Sequence, residues 1–234
     1  MKLLNGDCLE ELKYIADDSI DLIFGDLPYG ATHCKWDCPI DLDRLWTEFM
    51  RVKKLHTPII MTTTTKFGVS LINTAPKNCP FRYDLVFCKS TSSGFLCSSR
   101  MPLRKHEMVY VFYERLPFYD ISSHIKKNNF TTPIGEEEDI HIDIAKEGAY
   151  GVIAIINPKN RKGKYETPLP HSLLEIKSFR GKYSGKGHSC QKPVELMEWI
   201  LKYYSKENDI VLDCCMGSGS MGVACKNLKR NFIG

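Results

Sequence analysis

Apolar residues along this chain recur at two spacings. Short solid or alternating runs at residues 2–7, 20–25, 58–63, 83–88, 106–113 and 209–213 predict strands, and another opens at Asn231. Between them, Leu9, Leu12 and Ile15 recur at helical spacing, as do Leu42, Leu45, Trp46, Phe49 and Met50. Residues 67–72 and 193–201 repeat that spacing. Arg51, Lys53 and Lys54 follow the second helix at the negative end of its dipole, and Pro193 sits in the first turn of the last. Strand and helix taking turns predict an α/β fold: a doubly wound, mostly parallel, Rossmann-like sheet. From residue 117 to 187 the periodicity fades. Glu136-Glu137-Glu138, Asn157-Pro158, Thr167-Pro168-Leu169-Pro170 and several glycines interrupt it. The expected organisation is one domain in two halves, residues 1–116 and 188–234, with an irregular lobe, 117–187, inserted at the ligand-binding edge of the sheet.

Composition narrows the class. At 234 residues, 43% hydrophobic and 26% charged, the chain has the make-up of a globular protein with a sizeable core. No apolar run reaches the roughly 18 residues of a membrane span, and the first residues lack a signal peptide's apolar stretch. Ten cysteines are present. Cys34 and Cys38 lie four apart, Cys214 and Cys215 are adjacent, the others scatter, and no pair of C-x-x-C knuckles occurs. That spacing points to reduced thiols in a reducing, cytoplasmic compartment, with neither a disulfide framework nor a metal centre. Net charge is only +4. Residues 158–187, however, hold eight Lys/Arg against Glu166 and Glu175, a local excess of +6, so the rest of the chain is slightly acidic. Lys159, Arg161, Lys162, Lys164, Arg180 and Lys182 are therefore candidate contacts to a phosphate backbone, weighed against an ordinary solvated basic face.

Two stretches carry candidate chemistry. Asp26-Leu27-Pro28-Tyr29 ends the apolar run at 20–25, and strand C-termini are where open α/β sheets bind ligands. Pro28 fixes its own φ and keeps Leu27 out of helical conformation, leaving the Leu27 carbonyl unspent. A carboxylate, a carbonyl and an aromatic face so close together suit a planar group bearing an NH2. At the other end, Gly217, Gly219 and Gly222 spell G-x-G-x-x-G between a strand and a helix, the pattern of a dinucleotide loop. A nicotinamide enzyme is a remote reading: that loop belongs early in a βαβ unit, with an acid about twenty residues on.

Taken together, these motifs resemble the amino-methyltransferases of DNA. Asp26-Leu27-Pro28-Tyr29 is similar to that family's Asp-Pro-Pro-Tyr signature, with Leu27 in place of the first proline. Asp213-x-x-x-Gly217-Ser218-Gly219 resembles its S-adenosylmethionine loop, with Cys215 where an aromatic is usual. Asn5-Gly6-Asp7-Cys8 resembles its adenine-contacting turn, and Arg104-Lys105-His106-Glu107 a strand entry beside the target-base pocket. His188-Ser189-Cys190-Gln191-Lys192-Pro193 resembles the segment beside the cofactor's methionine end. Their order is that of the family's permuted β subgroup. The family's ribose-binding acid would follow the strand that opens at Asn231, past Gly234.

The resemblance implies S-adenosylmethionine as cofactor, bound by Asp7, Cys8, His188, Gln191, Lys192, Pro193, Asp213, Cys215, Gly217, Ser218 and Gly219. It implies catalysis by Asp26, Leu27, Pro28 and Tyr29 on a base flipped out of the duplex. Asp at the first signature position implies adenine N6 rather than cytosine N4. A silent DNA-binding subunit of the same fold is the alternative from another class, and a homodimer is compatible with the family.

Overall fold

The computed structural model describes residues 1–30, 34, 37–124, 169–176 and 191–234. His33, Trp36, His188 and the six basic candidates Lys159, Arg161, Lys162, Lys164, Arg180 and Lys182 lie outside the described residues. Two compact units are present. One comprises Met1–Asp120 and His171–Gly234, the other Ile121–Pro170. In the second, a 3-10 turn at Ser122–His124 is closed by the His124 amide bonding to the Ile121 carbonyl at 2.9 Å.

The first unit is built on β1 (Leu22–Gly25), every residue of which is buried. It pairs in parallel with β2 (Ile59–Thr63) on one side and β6 (Ile210–Asp213) on the other. With β3 (Phe81–Ser93), β4 (Arg104–Phe112), β5 (Leu173–Leu174) and β7 (Asn231–Ile233), the order is β5-β3-β4-β2-β1-β6-β7. The β1–β2, β1–β6, β6–β7 and β3–β5 pairings are parallel, while β4 runs antiparallel to both β2 and β3. The sheet is thus mostly parallel, as expected.

Alternation along the strands divides the core. Leu22, Phe24, Ile60, Val109 and Val111 pack on one face against α4 (Val194–Tyr204) and α5 (Ser220–Asn227). Ile23, Ile59, Met61, Tyr110 and Phe112 pack on the other, against α1 (Cys8–Glu11), α2 (Leu42–Val52) and α3 (Thr65–Thr74). Successive strand residues point to opposite faces, so a strand buried on both reads as a continuous apolar run, and the sheet is doubly wound.

Two contacts pin the second face. Gly68 of α3 lies so close to the Tyr110 ring that an added Cβ would come within 2.3 Å of Cε2. Lys53, whose side chain is 3% exposed, pairs with Glu114 at 2.8 Å and holds the end of α2 to the chain beyond β4. That ammonium draws the Glu114 carboxyl below its ordinary value.

The predicted N-terminal strand at 2–7 is corrected by the structure. Lys2 makes one isolated bridge to Ile233, and Leu4 donates to the Gly234 carbonyl at 2.7 Å. The segment is largely exposed, and Asp7 is already committed to capping α1, its carboxylate accepting from the Leu9 amide at 2.8 Å. Pro193 stands at the N-cap of α4 rather than inside its first turn. At the far edge, β3 and β4 outrun the sheet and carry an apolar tip in which Phe95, Leu96 and Met101 are exposed.

Candidate active site

Register decides where the two motif-bearing turns meet. Phe24 of β1 lies beside Asp213 of β6 in the parallel ladder, so Asp26 follows two residues beyond its neighbour. With strands about 4.8 Å apart and a rise of about 3.3 Å per residue, the Asp26 and Asp213 backbones stand about 8 Å apart. Both strands run the same way, so both turns leave the same edge of the sheet, within one small-molecule cofactor's length.

At the end of β1, Asp26 is held from three directions. Thr62, fully buried near the end of β2, donates to Asp26 Oδ1 at 2.5 Å. The Tyr29 hydroxyl donates to the same oxygen at 2.9 Å, which folds the turn back on itself. The Lys192 ammonium bonds both carboxylate oxygens, at 2.8 Å to Oδ1 and 2.7 Å to Oδ2. Oδ1 therefore accepts three bonds and Oδ2 only one. Leu27 is 2% exposed and anchors the turn in the second core. The Tyr29 ring leans on Phe67 with centroids 5.4 Å apart. Burial first, then the neighbouring Asp26 charge, pushes the Tyr29 hydroxyl far above its ordinary pKa, so it stays a neutral donor.

Lys192 also stands 3.3 Å from Glu107 Oε2, and Glu107 in turn 3.3 Å from Lys89. Charges thus alternate from β3 through β4 to the end of β1. Burial pushes the Lys192 pKa down, but Asp26 and Glu107 outweigh it and hold the ammonium above the ordinary lysine value. The Lys192 carbonyl accepts from Ser220 Oγ at 2.7 Å, tying this segment to the first residue of α5. Chain geometry at Gln191, Lys192 and Pro193 is thereby linked to the glycine turn.

That turn opens at Asp213, which is 3% exposed. Burial pushes its carboxyl up to about 7, opposed by the Cys215 amide that donates to Oδ1 at 3.1 Å, with the Asp26 charge adding to the rise. Gly217 and Gly219 are left-handed, at φ 51° and 78°, and nothing lies within 4 Å of a Cβ built on Gly219. A side chain at either would be strained, and the open space lets a ligand approach the backbone. Ser218 Oγ lies 3.3 Å from Ser220 Oγ.

Beside the turn is an open concavity lined by Leu4, Gly6, Cys8, Asp213, Cys214 and Gly234 among others. Aliphatic walls, a glycine turn and a buried acid fit a cofactor that joins a nucleoside to an amino acid. Cys8, Cys214 and Cys215 bring their sulfurs within 4.8 Å of one another there. Hydrogen bonds from Cys214 and then Cys215 hold the Cys8 thiol below its ordinary pKa.

Of the residues expected from sequence, Asp26, Leu27, Pro28 and Tyr29 form one turn; Asp7, Cys8, Asp213 and Cys215 gather at or near the concavity; and Lys192 lies between the two sets. Thr62 and Lys89 were not foreseen. Thr62-Thr63-Thr64-Thr65 at the end of an apolar strand was the available signal: polar residues where a buried strand meets the ligand edge.

Comparison with known proteins adds the following. The family model described as DNA methylase matches residues 20–234. The type II methyltransferase M.HinfI of Haemophilus influenzae is 27% identical over 257 residues, which take in 99% of this chain and 63% of that relative's own length. The fold is similar to that of the M1.HpyAVI–SAM complex, with a TM-score of 0.59 and 19% identity, covering all of this chain and 91% of the other. It is also similar to the PvuII DNA methyltransferase (cytosine-N4-specific), with a TM-score of 0.64 and 14% identity, covering 99% and 79%.

Proposed function

The chain belongs to the N6/N4 DNA methylase family, and from that premise we propose that it methylates the exocyclic N6 of adenine in double-stranded DNA, at the turn after β1. The observation that carries this reading is the parallel pairing of β1 with β6, which sets the Asp26 carboxylate and the glycine turn side by side at one edge. S-adenosylmethionine, which Asp7, Cys8, Asp213 and the glycine turn would hold, would supply an electrophilic methyl group.

The chain's own residues answer a specific difficulty. The lone pair of a base amino group is delocalised into the ring, so the nitrogen is a poor nucleophile. Asp26 Oδ2 carries a single bond, from Lys192, and a carboxylate oxygen accepts about two. Oδ2 takes one amino N–H and the Leu27 carbonyl takes the other. Two acceptors on one nitrogen draw it toward a tetrahedral shape and free its lone pair. Methyl transfer from a bound cofactor to that nitrogen, the S–CH3 bond breaking as the N–CH3 bond forms, would leave a surplus proton that Oδ2 is placed to accept. Lys192, Thr62 and Tyr29 hold the carboxylate so that little reorganisation accompanies the step, which is where electrostatic preorganisation gains its effect. No covalent enzyme intermediate is required.

A base inside a duplex cannot reach this turn and has to be flipped out. The Tyr29 ring, fixed at its hydroxyl end, is the stacking face for it. Lys159, Arg161, Lys162, Lys164, Arg180 and Lys182 meet the phosphates, and the lobe that carries them reads base edges. Aspartate at the first signature position favours adenine; cytosine N4 offers the same NH2 to the same acceptors.

The test is transfer of tritiated methyl to unmethylated DNA, with nucleoside analysis of the product. N6-methyl-2′-deoxyadenosine is the expected labelled product, and N4-methyl-2′-deoxycytidine would reassign the base. Asp26→Ala should lower transfer by about 10²- to 10³-fold, on the scale of removing one preorganised polar group, while calorimetry still registers cofactor binding. Full activity in that variant would remove Asp26 from the mechanism.

A further inference from the structure

Ten cysteines spaced without a metal-ligand pattern give no reason to expect a metal, yet the fold gathers three of them. Cys8 opens α1, just after its capping residue, while Cys214 and Cys215 leave the end of β6. They are separated by more than two hundred positions in sequence, and their three sulfurs lie within 4.8 Å of one another. From this geometry we propose that Cys8, Cys214 and Cys215 form a three-thiolate site for a soft d10 cation, zinc or monovalent copper, and that metal there excludes the cofactor.

Sulfurs bound to a tetrahedral zinc at about 2.3 Å stand about 3.8 Å apart, and trigonal copper requires a similar span. The observed cluster needs to close by no more than about 1 Å to reach that geometry. The supporting backbone is well fixed: the Asp7 carboxylate caps α1, and β6 is zipped between β1 and β7. The all-sulfur donor set selects soft cations and disfavours magnesium or calcium, which take oxygen ligands.

The competing reading is that the thiols simply pad the second core, against which all three pack. Two observations weigh against padding alone. Each of the three is only partly buried, whereas Cys79 and Cys225 are fully so. Cys8 and Cys214 also line the open concavity beside Asp213, giving an ion an entry path and a solvent-facing fourth position. In the proposed function the same concavity would hold part of the cofactor. The metal-binding half of this inference stands without that reading, and the exclusion half rests on it.

The experiment uses the full chain, reduced and stripped with a chelator, in the absence of cofactor and DNA. Zinc chloride and monovalent copper are titrated separately against chromophoric chelators, and bound metal is counted by mass spectrometry after dialysis. One equivalent of either ion should bind with micromolar or tighter affinity. Cys8→Ser and Cys215→Ser should each weaken it at least 100-fold, while Cys97→Ser, at an exposed cysteine elsewhere, should not. Circular dichroism melts establish that each variant is folded; if Cys215→Ser melts early, Cys214→Ala replaces it. No stoichiometric binding of either ion, or binding that survives Cys8→Ser, overturns the site. With S-adenosylmethionine present, the apparent metal affinity should fall in proportion to cofactor concentration. An unchanged metal affinity, at concentrations where calorimetry shows cofactor bound, overturns the exclusion; absence of cofactor binding in calorimetry instead counts against the proposed function.

Discussion

Replacing Lys192 with methionine keeps the length and apolar stem of the side chain and removes its charge. In the native chain that ammonium, 12% exposed, lies 2.7 Å from Asp26 Oδ2 and 3.3 Å from Glu107 Oε2. The sum of the two distances caps the separation of those oxygens at 6.0 Å. Without the cation, two unit negative charges at that range repel by about 3 kcal/mol at an effective dielectric constant near 20. The variant has one escape, which is to protonate a carboxylate. Measured against the unfolded chain, where free carboxylates titrate near 4, this costs about 1.4 kcal/mol per pH unit, hence about 4 kcal/mol at pH 7 and about 1.4 at pH 5. The smaller cost wins at each pH. Lys192→Met should therefore destabilise the fold by about 3 kcal/mol at pH 8 and only about 1.5 at pH 5. Lys192 itself adds no slope, because a raised lysine pKa gives stabilisation that is complete below about 10.5 and is lost only above the folded value. Urea unfolding of both proteins at pH 5, 6.5 and 8 measures the difference directly. A difference that stays flat across this range, or never exceeds 1 kcal/mol, would refute the idea that one ammonium neutralises two carboxylates. Methyl transfer gives a second reading: the variant loses the ammonium that fixes both Asp26 oxygens, so activity should fall about 10²-fold at pH 7, and further at pH 5, where a protonated carboxyl is the poorer acceptor.

Other changes probe neighbouring parts of the same architecture. Tyr29→Phe keeps the ring but loses the bond to Asp26, and should lower transfer about tenfold, whereas Tyr29→Ala removes the stacking face as well and should cost at least another tenfold; equal losses in a methylation assay would deny the ring its role. Glu114→Gln strands the buried Lys53 charge and should cost about 3 kcal/mol in urea unfolding at pH 7. Because the Glu114 pKa is depressed, its stabilisation exists above the ordinary glutamate value and fades as pH falls through the folded one, so the gap should close below about pH 4. Gly68→Ala drives a methyl group into the Tyr110 ring, and overpacking of about 1–3 kcal/mol should outweigh the helix-propensity gain of about 1. A lowered melting temperature, rescued by Tyr110→Leu, is the expected pattern.

The parts of the site legible in the sequence are those whose signals are local. Pro28 after an acid and before an aromatic marks a stopped strand, and the glycines at 217 and 219 mark a left-handed turn, whatever the rest of the chain does. The buried strands announced themselves as solid apolar runs because helices cover both faces of the sheet. The N-terminal run misled because Leu3 and Leu4 have the composition of a strand, yet Asn5-Gly6-Asp7 diverts the backbone into a helix cap after a single bridge. What spacing cannot convey is register. Nothing near Lys192 in the sequence announces that its ammonium reaches Asp26, 166 positions away, or that Glu107 joins it from β4. The thiol cluster was hidden for the same reason: adjacent cysteines and a distant third form no motif until β6 lies beside the start of α1.

The strand order has a consequence for how the chain comes into being. β1 is made early, yet its partner β6 lies nearly two hundred residues later in the sequence. During synthesis, therefore, the Leu22–Gly25 strand waits with the N–H and C=O groups of one edge unpaired, a natural template for misplaced pairing. That edge stays open until β6 has been made. Because the same late closure brings Asp26 beside the glycine turn, no intermediate lacking β6 assembles the proposed site.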